Sequence, residues 1–359
     1  MAPIRILVAD GSAVARREIS QLLGSDPELD VVALCPTGRI ALETVERLRP
    51  DVMVLELSLP DMNGLEVLKE LHRKCPRMPV LIFSALTEST GNLTLDALAH
   101  GASDYITKPV TATGMPLLEQ VREPLIAKLR ELYTRIQPEP PKILPPRKRH
   151  ELAKPPPRPP RIGVVVIGAS TGGPNMLADV IAALPADFPA PVVIAQHMPP
   201  VFTRLFAERL NALTPLHVRE AITGEQLRAG DIWVAPGDYH LAITREGPLV
   251  KLLTHRGPLE NSCRPAVDVL MRSAALAYGA GVLAVVMTGM GQDGLKGCHT
   301  VSQAGGHVLV QDPETCVVAS MPQAVIHAGL AHQVVHVKNL GAEIVRRVCK
   351  ALSMQPMAS

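Results

Sequence analysis

The chain has 359 residues, 47% of them hydrophobic and 19% charged, with a net charge of +2, the balance of an ordinary globular protein long enough for two domains. Aromatic residues make up only 3%, which leaves little surface on which bases could stack and, with the small net charge, argues against nucleic-acid binding. No apolar run approaches the roughly 18 residues of a membrane span, the N-terminus lacks a signal-peptide layout, and the six cysteines form no CxxC pair; a cytoplasmic protein is expected, with no membrane insertion, disulfide framework or metal site.

From residue 4 onward, strand-like runs alternate with helical stretches: IRILVA, AVARREISQLLG, VVALC, VMVLEL, GLEVLKELHRK, PVLIFSA and SDYI. Such βα alternation over residues 1–135 predicts a parallel sheet with helices on both faces, most simply in the flavodoxin-like strand order. Groups that do chemistry on such a sheet stand at the carboxyl ends of strands. Those ends carry Asp10, Glu56, Ser84 and Lys108, the last followed by Pro109. Two acids, a hydroxyl and an ammonium are therefore expected at one edge.

Residues 136–161 read IQPEPPKILPPRKRHELAKPPPRPPR. Prolines and basic residues with almost nothing to fill a core predict an extended, solvated linker. The basic residues alone could suggest a nucleic-acid tail, but the interleaved prolines favour a spacer.

Residues 162–355 alternate again, with strands at IGVVVIG, PVVIAQ, DIWVAP, VLAVVMTG and GHVLVQ and helices around 174–184, 201–212, 265–279, 293–304 and 340–352. A hairpin-like insertion, YHLAITREGPLVKLL, interrupts them. The pattern predicts a second doubly wound, mainly parallel α/β domain, larger than the first and mixed at one edge.

In that domain GASTG, Gly168 to Gly172, follows a strand and precedes a helix opening at Gly173-Pro174. This is the setting of a nucleophile elbow, whose glycines permit a sharp turn that lifts Ser170 above the sheet. Small Gly/Ser loops before helices also hold phosphates, so the motif alone leaves both open. A serine nucleophile needs a base, and His197 stands directly after PVVIAQ, although a single histidine at a strand end is more often a cap. His217, His240 and His255 end no central strand so plainly. Asp293, in TGMGQDG after VLAVVM, supplies a carboxylate to orient an imidazole. The same loop matches G-x-G-x-x-G through Gly289, Gly291 and Gly294, with Asp312 downstream, but an acid beside a pyrophosphate is electrostatically unfavourable.

GASTGGP, AQHMPPVFTRLFAERLN, SCRPAVDVL, MTGMGQDG and QDPETCVVASMPQAV together resemble the chemotaxis protein-glutamate methylesterase and glutamine deamidase family, and the first domain is similar to the receiver domain those enzymes carry. The resemblance spans nearly the whole chain. It implies that Ser170 attacks the γ-carbonyl of a methylated glutamate or a glutamine, that His197 shuttles the proton, and that Asp293 orients His197. It also implies the Met290 backbone N–H as an oxyanion donor, while elbow geometry suggests the Thr171 backbone N–H as another. The implied partners are methyl-accepting chemotaxis receptors and a sensor histidine kinase, with the unstimulated receiver covering the active site. No cofactor is implied for the hydrolysis.

The receiver departs from its family's pattern twice. The acidic pair after the first strand reads Asp10-Gly11, and the acceptor aspartate is Glu56. One extra methylene moves the carboxylate by about 1.5 Å, and Gly11 offers Mg²⁺ no side-chain ligand, so Mg²⁺ binding is doubtful and no acyl phosphate is expected. Glu56 either imitates the phosphorylated state through Lys108 or serves as a structural ion-pair partner. The competing class of function is a non-catalytic signalling adaptor built on a pseudo-receiver.

Overall fold

The computed structural model describes residues 2–85, 87–109, 118–136 and 161–353. The chain divides into two compact units, Met1–Lys142 and Ile143–Ser359. The expected linker, 136–161, lies outside the described residues except for its two ends.

The first unit runs β1 (Ile4–Ala9), α1 (Ala13–Gly24), β2 (Leu29–Cys35), α2 (Gly38–Leu48), β3 (Val52–Leu55), α3 (Gly64–Lys74), β4 (Val80–Ala85), α4 (Glu88–Ala99), β5 (Asp104–Lys108) and α5 (Arg122–Ile136). Its five strands are parallel in the order β2-β1-β3-β4-β5, the order expected from the alternation. All four residues of β3 are buried, as a strand covered by helices on both faces requires. Fully burying each such aliphatic side chain contributes about 1.5–3 kcal/mol. Helix starts are set by side-chain caps: Ser12 for α1, Thr37 for α2, and Asn63 for α3, where Glu66 completes a capping box.

The second unit runs β6 (Val164–Ala169), α6 (Gly173–Ala182), β7 (Val192–Gln196), α7 (Phe202–Asn211), β8 (His217–Glu220), β9 (Asp231–Val234), β10 (His240–Glu246), β11 (Leu249–His255), α8 (Val267–Tyr278), β12 (Val282–Val286), α9 (Leu295–Gln303), β13 (His307–Gln311), α10 (Ser320–His327), β14 (Gln333–Val335) and α11 (Val337–Ser353). Seven strands form one sheet in the order β14-β13-β12-β6-β7-β9-β8. Every pairing in it is parallel, which corrects the expectation of a mixed edge. The hairpin β10-β11 forms a separate two-stranded sheet, with β11 also bridged to residues 224–227 by Gln226 opposite Lys251 and by backbone hydrogen bonds. It is also tied to α8, by Ile243 N donating to Ser273 Oγ and Arg245 Nε to the Ala277 carbonyl.

From β6 the chain builds outward through β7 on one side, then returns to lay β12 on the other. The strand order therefore switches direction between β6 and β12, which opens a crevice at their carboxyl ends. Among the described residues no helix is long and apolar enough to cross a membrane.

Candidate active site

Ser170 follows β6, whose six residues are all buried. Gly172 takes a left-handed φ of 78°, and a Cβ there would lie 2.3 Å from Val317 Cγ2, so the turn needs glycine for both conformation and space. Pro174 then sits in the first turn of α6, where its missing N–H costs nothing. The Ser170 amide donates to the Thr288 carbonyl at 3.0 Å, while its carbonyl accepts from Gly173 N at 2.8 Å and from Gln196 Nε2 at 2.9 Å. The elbow's backbone is thus held from three sides. Gln196 was not foreseen, because a polar residue ending a strand gives no sequence signal of what it grips.

His197 follows β7, and its amide donates to the Ala169 carbonyl at 3.1 Å, which fixes it beside the elbow. Its Nε2 lies 2.8 Å from Asp293 Oδ2. Facing a carboxylate, Nε2 carries the proton, so Nδ1 is the basic nitrogen of the neutral ring. Asp293 is 1% exposed, and its charge is met by donors: Val267 N on Oδ2 and Asp268 N, Gly294 N and Asn261 Nδ2 on Oδ1.

Asn261, at 2.8 Å from Asp293, also donates to Asp268 Oδ2 at 3.0 Å. It bridges two buried acids. Asp268 has its carboxyl raised by burial, against the Gly297 and Asn261 hydrogen bonds that favour its charge.

The Ser170–His197 bond is the part of the triad not formed in this structure. His197 Nδ1 faces Cys263 Sγ at 3.5 Å, and among the described residues no hydrogen bond joins it to Ser170 Oγ. Catalytic hydrogen bonds are often loose before substrate enters and tighten in the complex. Neither Asn261 nor Cys263 was foreseen; the Asn-Ser pair at 261–262 is a turn signal that marks their loop as shaped.

Burial opposes a charge on His197, but the hydrogen bonds to Asp293 and Cys263 outweigh it and raise the imidazole to about 9. Burial likewise opposes the charge on Asp293, and its bond to His197 with the backbone donors holds its carboxyl below the usual range. A ring titrating near 9 is mostly protonated at pH 7 and cannot accept a proton there. Turnover per substrate encounter, kcat/KM, should therefore climb about tenfold per pH unit below that value and level off above it. In Cys263→Ser the midpoint should move down. A profile flat from pH 6 to 9 would contradict this charge state.

Gly289 packs directly on the nucleophile: a Cβ there would lie 2.8 Å from Ser170 Cβ and 2.2 Å from Met321 Sδ. This brings the next residue, Met290, to the elbow, and among the described residues its N–H has no hydrogen-bond partner. Thr171 is buried, with its carbonyl accepting from Thr288 Oγ1 at 2.8 Å. The glycine loop thus packs on the serine, and Asp312 caps a 3-10 turn by accepting from Glu314 N. His240 is spent on the Pro258 carbonyl and Ala266 N, and His255 accepts from Gly257 N.

In the first unit Asp10, Glu56, Ser84 and Lys108 do converge. Lys108 Nζ pairs with Asp10 Oδ2 and with Glu56 Oε2. Glu56 Oε1 accepts from Leu57 N at 2.7 Å, Ser58 N at 3.2 Å and Ser84 Oγ at 2.8 Å. Every oxygen of the glutamate is engaged. Among the described residues no group of three or more His, Cys, Asp or Glu side chains is arranged to hold a metal.

Residues 165–344 match the CheB methylesterase family and residues 6–118 the response regulator receiver domain. A protein-glutamate methylesterase/protein-glutamine glutaminase of Trichodesmium erythraeum is 42% identical over 97% of this chain and 100% of its own length. One of the same name from Nocardioides sp. is 44% identical over 98% and 97%. The crystal structure of the Thermotoga maritima CheB methylesterase catalytic domain, 42% identical, covers 51% of this chain and 97% of that one with a TM-score of 0.51. With full-length likeness in both units and the elbow, imidazole and carboxylate gathered at one switch point, the chain belongs to the protein-glutamate methylesterase/protein-glutamine glutaminase family.

Proposed function

We propose that the chain hydrolyses glutamate γ-methyl esters, and deamidates glutamine, on chemotaxis-type receptors through an acyl-enzyme on Ser170. The observation that carries this is the 2.8 Å His197–Asp293 pair beside the Ser170 elbow. Ser170 Oγ attacks the γ-carbonyl as its proton passes to His197 Nδ1. The imidazolium so formed is stabilised by Asp293 and returns the proton to the leaving methanol, or to ammonia from glutamine. Water then repeats the cycle on the acyl-enzyme. The Met290 and Thr171 backbone N–H groups are assigned to the oxyanion.

Methanol release from methylated receptor, and ammonia release from receptor with glutamine at the same sites, should be lost in Ser170→Ala. Equal rates in the variant and the wild type would overturn the reading and leave a non-catalytic adaptor.

The receiver is proposed to work without phosphorylation. Lys108 already lies on both carboxylates that a Mg²⁺ ion would need, and Gly11 supplies no side-chain oxygen, so the residues do not fit the ion. Glu56 then acts as a structural ion-pair partner for Lys108. A small phosphodonor or beryllofluoride should leave the esterase rate unchanged. A clear acceleration that disappears in Glu56→Ala would contradict this.

A further inference from the structure

Cys263 takes no part in the mechanism above, yet its sulfur is the group that meets His197 Nδ1, at 3.5 Å. It is placed there by a tight turn. Glu260 N donates to the Cys263 carbonyl at 3.2 Å and Cys263 N to the Glu260 carbonyl at 2.9 Å, with Asn261 and Ser262 between them at φ of 52° and 60°. Two central residues in the left-handed region make a hairpin turn of the primed type. Its base is fixed by a two-pronged Glu260–Arg272 ion pair at 2.6 and 2.7 Å, and its tip by the Asn261 amide on Asp268 and Asp293. The thiol, the imidazole and the Asp293 carboxylate thus form a second hydroxyl-free relay that ends on the same nitrogen the serine requires.

We propose that Cys263 is a covalent modification site for small disulfides, and that a group carried on its sulfur shuts the esterase by occupying the face of His197 that Ser170 must reach. The inference rests on the proposed Ser170 mechanism. In the neutral form of the ring, whose share grows as pH rises toward 9, the Cys263 proton passes to His197 Nδ1 as the sulfur attacks a disulfide RSSR. The S–S bond of the reagent breaks, a new S–S bond forms on Cys263, and the departing RS⁻ takes the proton from His197. The sum is Cys–SH plus RSSR giving Cys–S–SR plus RSH. No other oxidant is needed.

The remaining cysteines are poorer targets. Cys35, Cys298 and Cys316 are buried, and burial pushes the thiols of Cys35, Cys298 and Cys349 up. Cys75 is only partly buried, but among the described residues its sulfur has no histidine hydrogen bond. It serves as an internal control.

The test is to treat the full chain with bis(2-hydroxyethyl) disulfide, remove the excess, map adducts by mass spectrometry and measure methanol release before and after dithiothreitol. The expected result is an adduct on Cys263 ahead of Cys75, a fall of about tenfold or more in release, since the base is blocked, and recovery on reduction. Cys263→Ser should keep its own untreated rate after the same treatment, and His197→Gln should slow the adduct at Cys263 but not at Cys75. The proposal is overturned if Cys75 reacts first, if an adduct on Cys263 leaves release unchanged, or if Cys263→Ser is inhibited equally. Absence of methanol release from the untreated wild type would instead sink the esterase reading, and the His197 dependence of the adduct rate would still decide whether Cys263 is an activated site.

Discussion

Replacing Asp293 by asparagine should lower methanol release by about four orders of magnitude without unfolding the second unit. The reason lies in how the carboxylate is used. Oδ1 accepts three hydrogen bonds, from Asp268 N, Gly294 N and Asn261 Nδ2, and Oδ2 accepts from His197 Nε2 and Val267 N. An asparagine would keep its carbonyl oxygen on the side with three donors. Its NH₂ would then face His197 Nε2 and donate to it, forcing the ring proton onto Nδ1. A ring protonated on Nδ1 cannot take the serine proton. Methanol release by the variant, with thermal unfolding measured in parallel, checks this; activity within about tenfold of wild type would show that Asp293 does not set the tautomer.

The second large effect concerns the oxyanion. Gly289→Ala should reduce kcat by about a hundred- to a thousandfold, the usual consequence of losing one such donor, with KM nearly unchanged. The new Cβ would lie 2.8 Å from Ser170 Cβ and 2.2 Å from Met321 Sδ, closer than carbon and sulfur tolerate, so the backbone must retreat. Met290 is the next residue and its N–H would retreat with it. Overpacking of this kind also costs stability, about 1–3 kcal/mol. Steady-state kinetics beside a thermal melt separate the two consequences. A variant that melts earlier but turns over at the wild-type rate would remove Met290 from the oxyanion site.

The sequence carried most of the frame because strand ends in doubly wound sheets are legible from apolar runs that stop at turn residues. VVVIGA and VVIAQ end directly before Ser170 and His197, VLAVV leads into the loop that carries Asp293, and the switch between β6 and β12 gathers those ends. Helix α10 was not read, since Pro322 looks like a breaker; it stands in the first turn, where proline removes no helical hydrogen bond. Strands β8 and β14 have four and three residues, too few to show a period. The hairpin-like insertion is a hairpin, and the mixed edge expected of the large sheet is absent because that hairpin forms a separate two-stranded sheet. Asn261 and Cys263 escaped for a different reason. Their positions depend on a two-residue turn and on Glu260 meeting Arg272 from another element, and neither contact leaves a periodic trace.

In the receiver the identities alone were informative. Glu56 and Gly11 announced an altered site, and the ion pairs to Lys108 bear on what replaces it. What Glu56 does with Ser84, accepting its hydroxyl at 2.8 Å, needed coordinates, since the two residues come from different strands.

The relay from hydroxyl to imidazole is tested most directly by a fluorophosphonate, which reacts only with a serine whose proton has somewhere to go. The account predicts one phosphonyl group per chain, on Ser170, added at least about a hundredfold faster in wild type than in His197→Gln. Labelling of a different residue, or of Ser170 at the same rate in both proteins, would contradict it.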